Sequence, residues 1–236
     1  MLEEWYQKQT CTKRELLSLL GKLNFCSQVI SPGRSFMRCL IEDSKKGKRL
    51  HSNITFSRDA KSDIRWWVRC MRSYNGIRWF AREIDIKTPI FLFSDASNVA
   101  LVGLCNNSWT IIPCTGEYMW LQNKSIQYRE LYAAVLTVAT FSNQLRNCQA
   151  LMHIDNEAMQ KAIKAKSSRI PKIMGLIQAL YYYTTIHNIQ YDTMHIRTHL
   201  NKNSDNLSRL RLTQFFLDNL QANKNMSRPA RILIDW

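Results

Sequence analysis

Nothing in this sequence is built to cross a membrane, to be exported, or to hold a metal through cysteine. The longest apolar run, Leu131–Phe141, is broken by Thr137 and Thr140 and falls well short of the ~20 residues a membrane helix needs. Met1-Leu2-Glu3-Glu4 opens acidic with no apolar stretch behind it, so no signal peptide is expected. Seven cysteines stand at positions 11, 26, 39, 70, 105, 114 and 148. Their number is odd and no pair has the two-residue spacing of a zinc knuckle or redox motif. Reduced, buried thiols in a cytoplasmic or nuclear protein are expected instead. Internal repeats and low-complexity tracts are absent.

Acidic residues are the other scarcity. Lys and Arg number 33 against 18 Asp and Glu, giving +15 and a pI near 9.7. That balance points to a polyanionic partner. The excess is spread evenly, with 17 basic and nine acidic residues in 1–86 and 16 and nine in 87–236. No lysine-rich tail accounts for it, and no basic amphipathic stripe suits a membrane surface. Nucleic acid is the expected partner. An apolar share of 45% over 236 residues supports one large domain, or one ordinary domain with a smaller companion.

Residues 1–86 read as helices. Thr12 and Glu15 form a capping box ahead of Leu16, Leu19, Leu20 and Leu23 at helical spacing. Ser31-Pro32-Gly33 punctuates the chain before a second apolar stretch, Phe36–Ile41, and a basic loop, Ser44–Arg49. A third helix is expected from about Ser57, with Ile64, Trp67, Val68 and Met71 on one side. The texture changes after Asp85. Strands are expected at Pro89–Phe93, Val99–Cys105, Trp109–Cys114, Ala150–Ile154 and Ile189–Ile196, with Asn106-Asn107 turning the first hairpin. Helices are expected at Tyr128–Phe141, 156–165, 171–187 (opening on Pro171) and from Asp205 to Leu212. This order implies an α/β mixed sheet whose first strand is later joined in parallel by the fourth. The expected boundaries are a helical segment, 1–86; an α/β domain, 87–212; and a C-terminal tail, 213–236.

Asp95 and Asp155 each end an apolar strand, at the sheet edge where ligand crevices form in open α/β folds. Glu130 lies early in the intervening helix, and Asp205 opens the last one. Singly, each has a dull explanation as a strand end, a cap or a solvated acid. Jointly they are four of only nine acids in residues 87–236, placed where this topology converges. Two carboxylates ~4 Å apart repel by roughly 4 kcal/mol even at an effective dielectric near 20. Hard divalent cations with oxygen ligands relieve that repulsion, and a pair of them stabilises both the attacking and the leaving oxygen in phosphodiester cleavage.

The blocks Phe93-Ser94-Asp95-Ala96-Ser97, Gln127-Tyr128-Arg129-Glu130-Leu131, His153-Ile154-Asp155-Asn156 and Ser204-Asp205-Asn206-Leu207-Ser208-Arg209, with Asn201 ahead of the last, resemble in order those of retrotransposon ribonucleases H. The resemblance is to reverse transcriptases of DIRS-type elements. It extends upstream to Leu16–Phe25 and Ser31–Phe36, which resemble the thumb or connection segment between polymerase and nuclease, so it covers about residues 10–212. It implies a ribonuclease H-like five-stranded mixed sheet with helices on both faces, preceded by a small helical segment. It also implies hydrolysis of the RNA strand of RNA–DNA hybrids, leaving a 3′-hydroxyl and a 5′-phosphate. Asp95, Glu130, Asp155 and Asp205 then match the catalytic acids that hold two magnesium ions, with manganese as the alternative, and Asp95 bridges both. The order acid, Glu, acid, acid departs from the integrase branch, where the Glu comes last. Ile196-Arg197-Thr198 replaces the family's usual Ile-Pro-Gly, and Ser204 stands where Ala is usual.

His199 and Asn201 are auxiliary candidates, His199 as the loop histidine that assists product release in many such enzymes, whereas His195 reads as structural. Ser97, Asn156, Arg65, Arg69, Arg72 and Arg209 are candidates for nucleic-acid contact. Arg65, Arg69 and Arg72 lie three or four apart and would form one helix face, against a merely solvated face as the alternative. Trp66-Trp67, Trp79-Phe80 and Tyr181-Tyr182-Tyr183 suit stacking on bases, but such residues at helical spacing are more often core. No Asp-Asp dipeptide occurs and the stretch before residue 88 is too short for polymerase fingers and palm. No polymerase activity is expected on this chain, and a polymerase segment encoded elsewhere is a candidate partner. The rival reading is a non-catalytic nucleic-acid-binding remnant of a retrotransposon polyprotein.

Overall fold

The computed structural model describes residues 1–73 and 89–232. The expected boundary at 86/87 and the Trp79-Phe80 pair lie outside them. The chain divides into two compact units, one carrying the described residues 1–73 and the other residues 89–232. No described helix is long and apolar enough to cross a membrane.

The first unit runs α1 (Leu2–Gln7), β1 (Thr10–Thr12), α2 (Lys13–Cys26), a 3-10 helix (Ser31–Phe36), α3 (Arg38–Lys45), β2 (Asn53–Thr55) and α4 (Arg58–Ser73). The capping box at α2 forms both its bonds: the Glu15 N–H donates to Thr12 Oγ1 at 3.2 Å and the Thr12 N–H to Glu15 Oε2 at 2.7 Å. Leu16, Leu19, Leu20 and Leu23 are buried behind it. Gly33 is required by close packing, because a Cβ there would lie 2.5 Å from the Trp67 ring. Trp67 is anchored by its indole N–H to the Phe36 carbonyl at 2.9 Å, and Phe36 stacks on Trp66 with centroids 3.8 Å apart. Both tryptophans are therefore core. The buried side of α4 is Ala60, Ile64, Trp66, Trp67 and Cys70; Val68 is half-buried and Met71 exposed, which corrects the expected face. The helices-only reading also missed the antiparallel β1–β2 pair, Cys11 opposite Ile54. Three-residue strands are too short for alternation to register.

The second unit contains β3 (Ile90–Ala96), β4 (Ala100–Cys105), β5 (Ser108–Pro113), a 3-10 helix (Gly116–Asn123), α5 (Ile126–Phe141), β6 (Gln149–Ile154), α6 (Glu157–Ala165), α7 (Pro171–Ile186) and β7 (Gln190–His195). A 3-10 turn (Thr198–Leu200), α8 (Lys202–Ser208) and α9 (Leu212–Asp218) follow. The strands form one mixed sheet in the order β5-β4-β3-β6-β7. The hairpin partners are antiparallel, whereas β6 joins β3, and β7 joins β6, in parallel. The fold is the expected α/β architecture, a five-stranded mixed sheet with helices on both faces. Asn106 turns the β4–β5 hairpin at φ 52°, a conformation asparagine tolerates better than most residues.

Cross-strand register assigns the two faces. Ser94 pairs with Gly103 on the side covered by α5, where a Cβ on Gly103 would lie 2.1 Å from Thr137 Oγ1. Glycine here lets helix and sheet meet, and α7 packs on α5 behind it. Phe93 pairs with Leu104 and Asp95 with Val102 on the opposite side. There Val102, Leu104, Trp109 and Ile111 form a cluster with Leu207 of α8 and Phe215 of α9. Residues 213–232, expected as a tail, continue that layer. The Asn223 and Ser227 N–H groups donate to the carbonyls of Asn107 and Trp109, both at 2.8 Å. Trp109 Nε1 and Thr110 Oγ1 donate back to the carbonyls of Asn223 and Ser227. The segment thus satisfies backbone groups along β5 that an open sheet edge would expose.

All seven cysteines are free thiols. Burial pushes Cys11, Cys70 and Cys105 up to about 11 and Cys39 to about 12, so they are held as neutral thiols.

Candidate active site

The parallel register of β3 and β6 pairs Phe93 with His153. Carried two residues further, it sets Asp95 beside Asp155 at the carboxyl ends of adjacent strands. Both lie on the α8 side of the sheet, and α8 packs against β3 and β4. Glu130 is the fifth residue of α5, whose first turn is capped by Ser125 accepting from the Tyr128 N–H at 3.3 Å. The four acids therefore come from a strand end, a helix start, a second strand end and a second helix, all at one edge of the sheet.

Their electrostatics are those of carboxyls short of positive charge. Asp95 is 9% exposed and pushed up to about 6, by burial first and then by the charges of Asp155 and Asp205; a hydrogen bond from Ser208 opposes the shift. Glu130 is pushed up to about 7, again by burial, with Asp155 and Asp95 adding and an Asn156 hydrogen bond and Arg129 opposing. Asp155 is raised by burial and by Asp205, with His195 opposing. Each acid thus feels its neighbours, and one buried oxygen, Glu130 Oε2, has no hydrogen-bond partner at all.

Asp205 differs. Arg209 Nε lies 2.7 Å from its Oδ1 and Arg211 Nη1 is 3.9 Å from its Oδ2. Among the described residues, no three His, Cys, Asp or Glu side chains are already gathered at metal-holding spacing. The donor chemistry nonetheless suits a hard divalent ion: every donor is a carboxylate oxygen, two of the acids are held far above the usual carboxylate range, and one oxygen is orphaned.

The remaining candidates separate into groups. Asn201 is 2% exposed and donates through Nδ2 to the Ser94 carbonyl at 3.1 Å, so it ties the start of α8 to β3. Ser97, expected at the nucleic acid, is committed inward. Its hydroxyl donates to the Ser208 carbonyl at 2.6 Å and accepts from the Val99 N–H at 2.9 Å. Asn156 caps α6 by accepting from the Met159 N–H at 3.1 Å, and its side chain also hydrogen-bonds Glu130. His195 Nε2 lies 3.2 Å from the Asp155 carbonyl, in keeping with a structural role, and His199 is exposed on its 3-10 turn. In the first unit, Arg65 bonds the Tyr6 hydroxyl at 3.0 Å and Arg72 pairs with Glu3 at 2.6 Å. Arg65 and Arg72 on that α4 face are therefore engaged by α1.

Sequence reasoning missed Ser208 and Arg129. Ser208 is fully buried and donates to Asp95 Oδ2. Arg129, 6% exposed, donates from Nη1 to the Ser97 carbonyl at 2.7 Å. The available signal was the i, i+3 spacing of Asp205 and Ser208, which puts both on one side of a helix.

No protein family's profile and no curated protein matches the chain. Among solved structures it is similar to RNase H1 of the halophilic archaeon Halobacterium salinarum. That likeness has 12% identity, spans 53% of this chain and 98% of that one, and has a TM-score of 0.42. It is also similar to a foamy viral protease-reverse transcriptase dRH solved in complex with double-stranded DNA, with 13% identity over 79% of this chain and 35% of that one at a TM-score of 0.33.

Proposed function

We propose that this chain is a ribonuclease H that hydrolyses the RNA strand of RNA–DNA hybrids, as the nuclease part of a DIRS-type retroelement reverse transcriptase. One observation carries the reading. In a chain with a net charge of +15, four scarce acids share one sheet edge, where burial and mutual repulsion raise Asp95, Glu130 and Asp155 above their ordinary range.

Asp95, Glu130, Asp155 and Asp205 would hold two divalent ions, magnesium or manganese. Those ions supply a nucleophilic water at neutral pH and charge neutralisation at the scissile phosphate. The chain's own residues provide the rest. Burial of Asp95 and Glu130 stores repulsion that cation binding relieves. Asn156 and Ser208 hold Glu130 and Asp95 in place, and the basic surface supplies the general attraction for a polyanion.

The test is cleavage of an RNA–DNA hybrid with magnesium by wild type and by Asp95→Asn. Cleavage by wild type with a loss of about a thousandfold or more in the variant is expected, since a metal site supplies several kcal/mol of transition-state stabilisation. Equal activity in both would exclude this site. A second reading, a binding module that no longer cuts, draws on the Arg209 and Arg211 pairing of Asp205, which already supplies counter-charge to one acid. Hybrid binding without cleavage by wild type would select it.

A further inference from the structure

A line of buried polar contacts runs beside the four acids and touches the element that carries each of three of them. Asn201 fastens the start of α8 to the Ser94 carbonyl of β3. Ser208 fastens its end, donating to Asp95 Oδ2. The Ser208 hydroxyl also lies 3.1 Å from the Asp205 carbonyl. It has one proton to give, and that carbonyl already accepts from the Arg209 N–H, so the carboxylate, the stronger acceptor, takes the proton. The Ser208 carbonyl, one of the acceptors a helix end leaves free, accepts from Ser97 Oγ at 2.6 Å. The Ser97 carbonyl in turn accepts from Arg129, the neighbour of Glu130. Arg129, Ser97, Ser208 and Asp95 therefore form one connected chain between α5, the β3–β4 turn, α8 and β3.

The arrangement has a physical purpose. Asp95 and Asp205 repel one another, and that repulsion acts to drive the seven-residue α8 off the sheet. A neutral hydroxyl donor is the group that can hold an acid in place without cancelling the charge a cation needs. We infer that Ser208 is a positioning residue for the metal-binding carboxylates, with Ser97 as its anchor: together they fix α8 against β3 so that Asp95 and Asp205 face a common cation. This rests on the metal-binding reading above.

The experiment is Mn2+ binding to the full chain, followed by calorimetry and by the Mn2+ electron paramagnetic resonance signal, with metal-free thermal unfolding as the check on folding. Wild type is expected to bind and Asp95→Asn to lose binding; if wild type binds no Mn2+, or Asp95→Asn binds as tightly, the metal-binding reading itself fails. Given that difference, Ser208→Ala and Ser97→Ala are expected to weaken Mn2+ binding by about ten- to a hundredfold, as loss of outer-shell partners typically does, while still unfolding cooperatively. Ser97→Thr, which keeps the hydroxyl at a half-buried position, is expected to bind like wild type. Should Ser208→Ala fail to fold, the two Ser97 variants decide alone. Wild-type affinity in Ser208→Ala and Ser97→Ala overturns the positioning role and leaves the metal site standing. Equal losses in Ser97→Thr and Ser97→Ala assign the effect to packing and overturn it as well.

Discussion

Each unit buries acids, and the two sets are treated in opposite ways. In the first unit, Asp43 is 2% exposed and fully provided for. It accepts from the Ser57 N–H at 2.7 Å and the Ser57 hydroxyl at 3.0 Å, and Lys46 pairs with its other oxygen. Asp63, 1% exposed, accepts from the Cys39 N–H at 3.0 Å. In the second unit, buried Asp95 and half-buried Glu130 lie among other carboxyls, are raised to about 6 and about 7, and leave Glu130 Oε2 unpartnered. A buried acid whose bonds are complete is a structural staple. One set beside further acids with its charge uncompensated is what the proposed metal-binding reading requires.

The sharpest way to test that contrast is to remove one acid of each kind. Asp43→Ala strips the Ser57 N–H and hydroxyl of their acceptor at the start of α4, and it leaves Lys46 without its partner. Breaking such a buried, hydrogen-bonded group costs about 3 kcal/mol, so a clear drop in melting temperature is expected, with or without magnesium. Asp95→Asn is expected to do the reverse. At pH 7.5 without divalent ions it removes a charge the fold disfavours, and the variant should melt higher than wild type. A lower melting temperature for Asp95→Asn would make Asp95 a staple like Asp43 and erase the distinction.

The same contrast sets a pH dependence. The folded-state value of Asp95 is raised from 3.8 to about 6 and that of Glu130 from 4.5 to about 7, so the folded protein binds these protons more tightly than the unfolded chain does. Their contribution is fully present below about pH 4 and is lost as pH rises through 6 to 7. For Asp95 the loss is about 3 kcal/mol at most, from 1.36 kcal/mol per pH unit. Metal-free stability, measured by denaturant unfolding, is therefore expected to fall between pH 4 and 7. Saturating magnesium should restore it at the upper end, and Asp95→Asn should flatten the slope. An identical slope in Asp95→Asn would remove this acid as its source.

How legible this was from sequence follows the range of the interactions involved. The strands of the second unit, α5 and α7 announce themselves through apolar runs and local caps, signals contained within a dozen residues. The four acids were legible for the same reason, each sitting at a fixed offset from such an element. The β1–β2 pair is three residues a side, and α1 buries none of its residues, so neither leaves a periodic trace. Residues 219–232 have no regular structure and belong to the fold through bonds to Asn107, Trp109 and Thr110. Ser208 meets Asp95 across 113 positions, a contact no local pattern encodes. Ser97 reads as a surface polar residue until its partner, Ser208, is known.

The smallest effect concerns the one acid that departs from the contrast. Asp205 is paired, like Asp43, yet its partners are exposed arginines: Arg209 is 54% and Arg211 58% exposed against 27% for Asp205. Exposed pairs of this kind contribute about 0–1 kcal/mol, little enough for a cation to compete with them. Arg209→Gln removes the closer partner. It is expected to leave the melting temperature nearly unchanged and to tighten Mn2+ binding by up to about fivefold, the affinity equivalent of 1 kcal/mol. In the same variant hybrid affinity should fall modestly if the released guanidinium reaches a phosphate when the acid holds a metal, and its salt dependence should flatten by about one counterion. Unchanged Mn2+ affinity would mean that Arg209 and the cation do not share Asp205. The pair would then belong with the staples of the first unit, and the site would rest on Asp95, Glu130 and Asp155 alone.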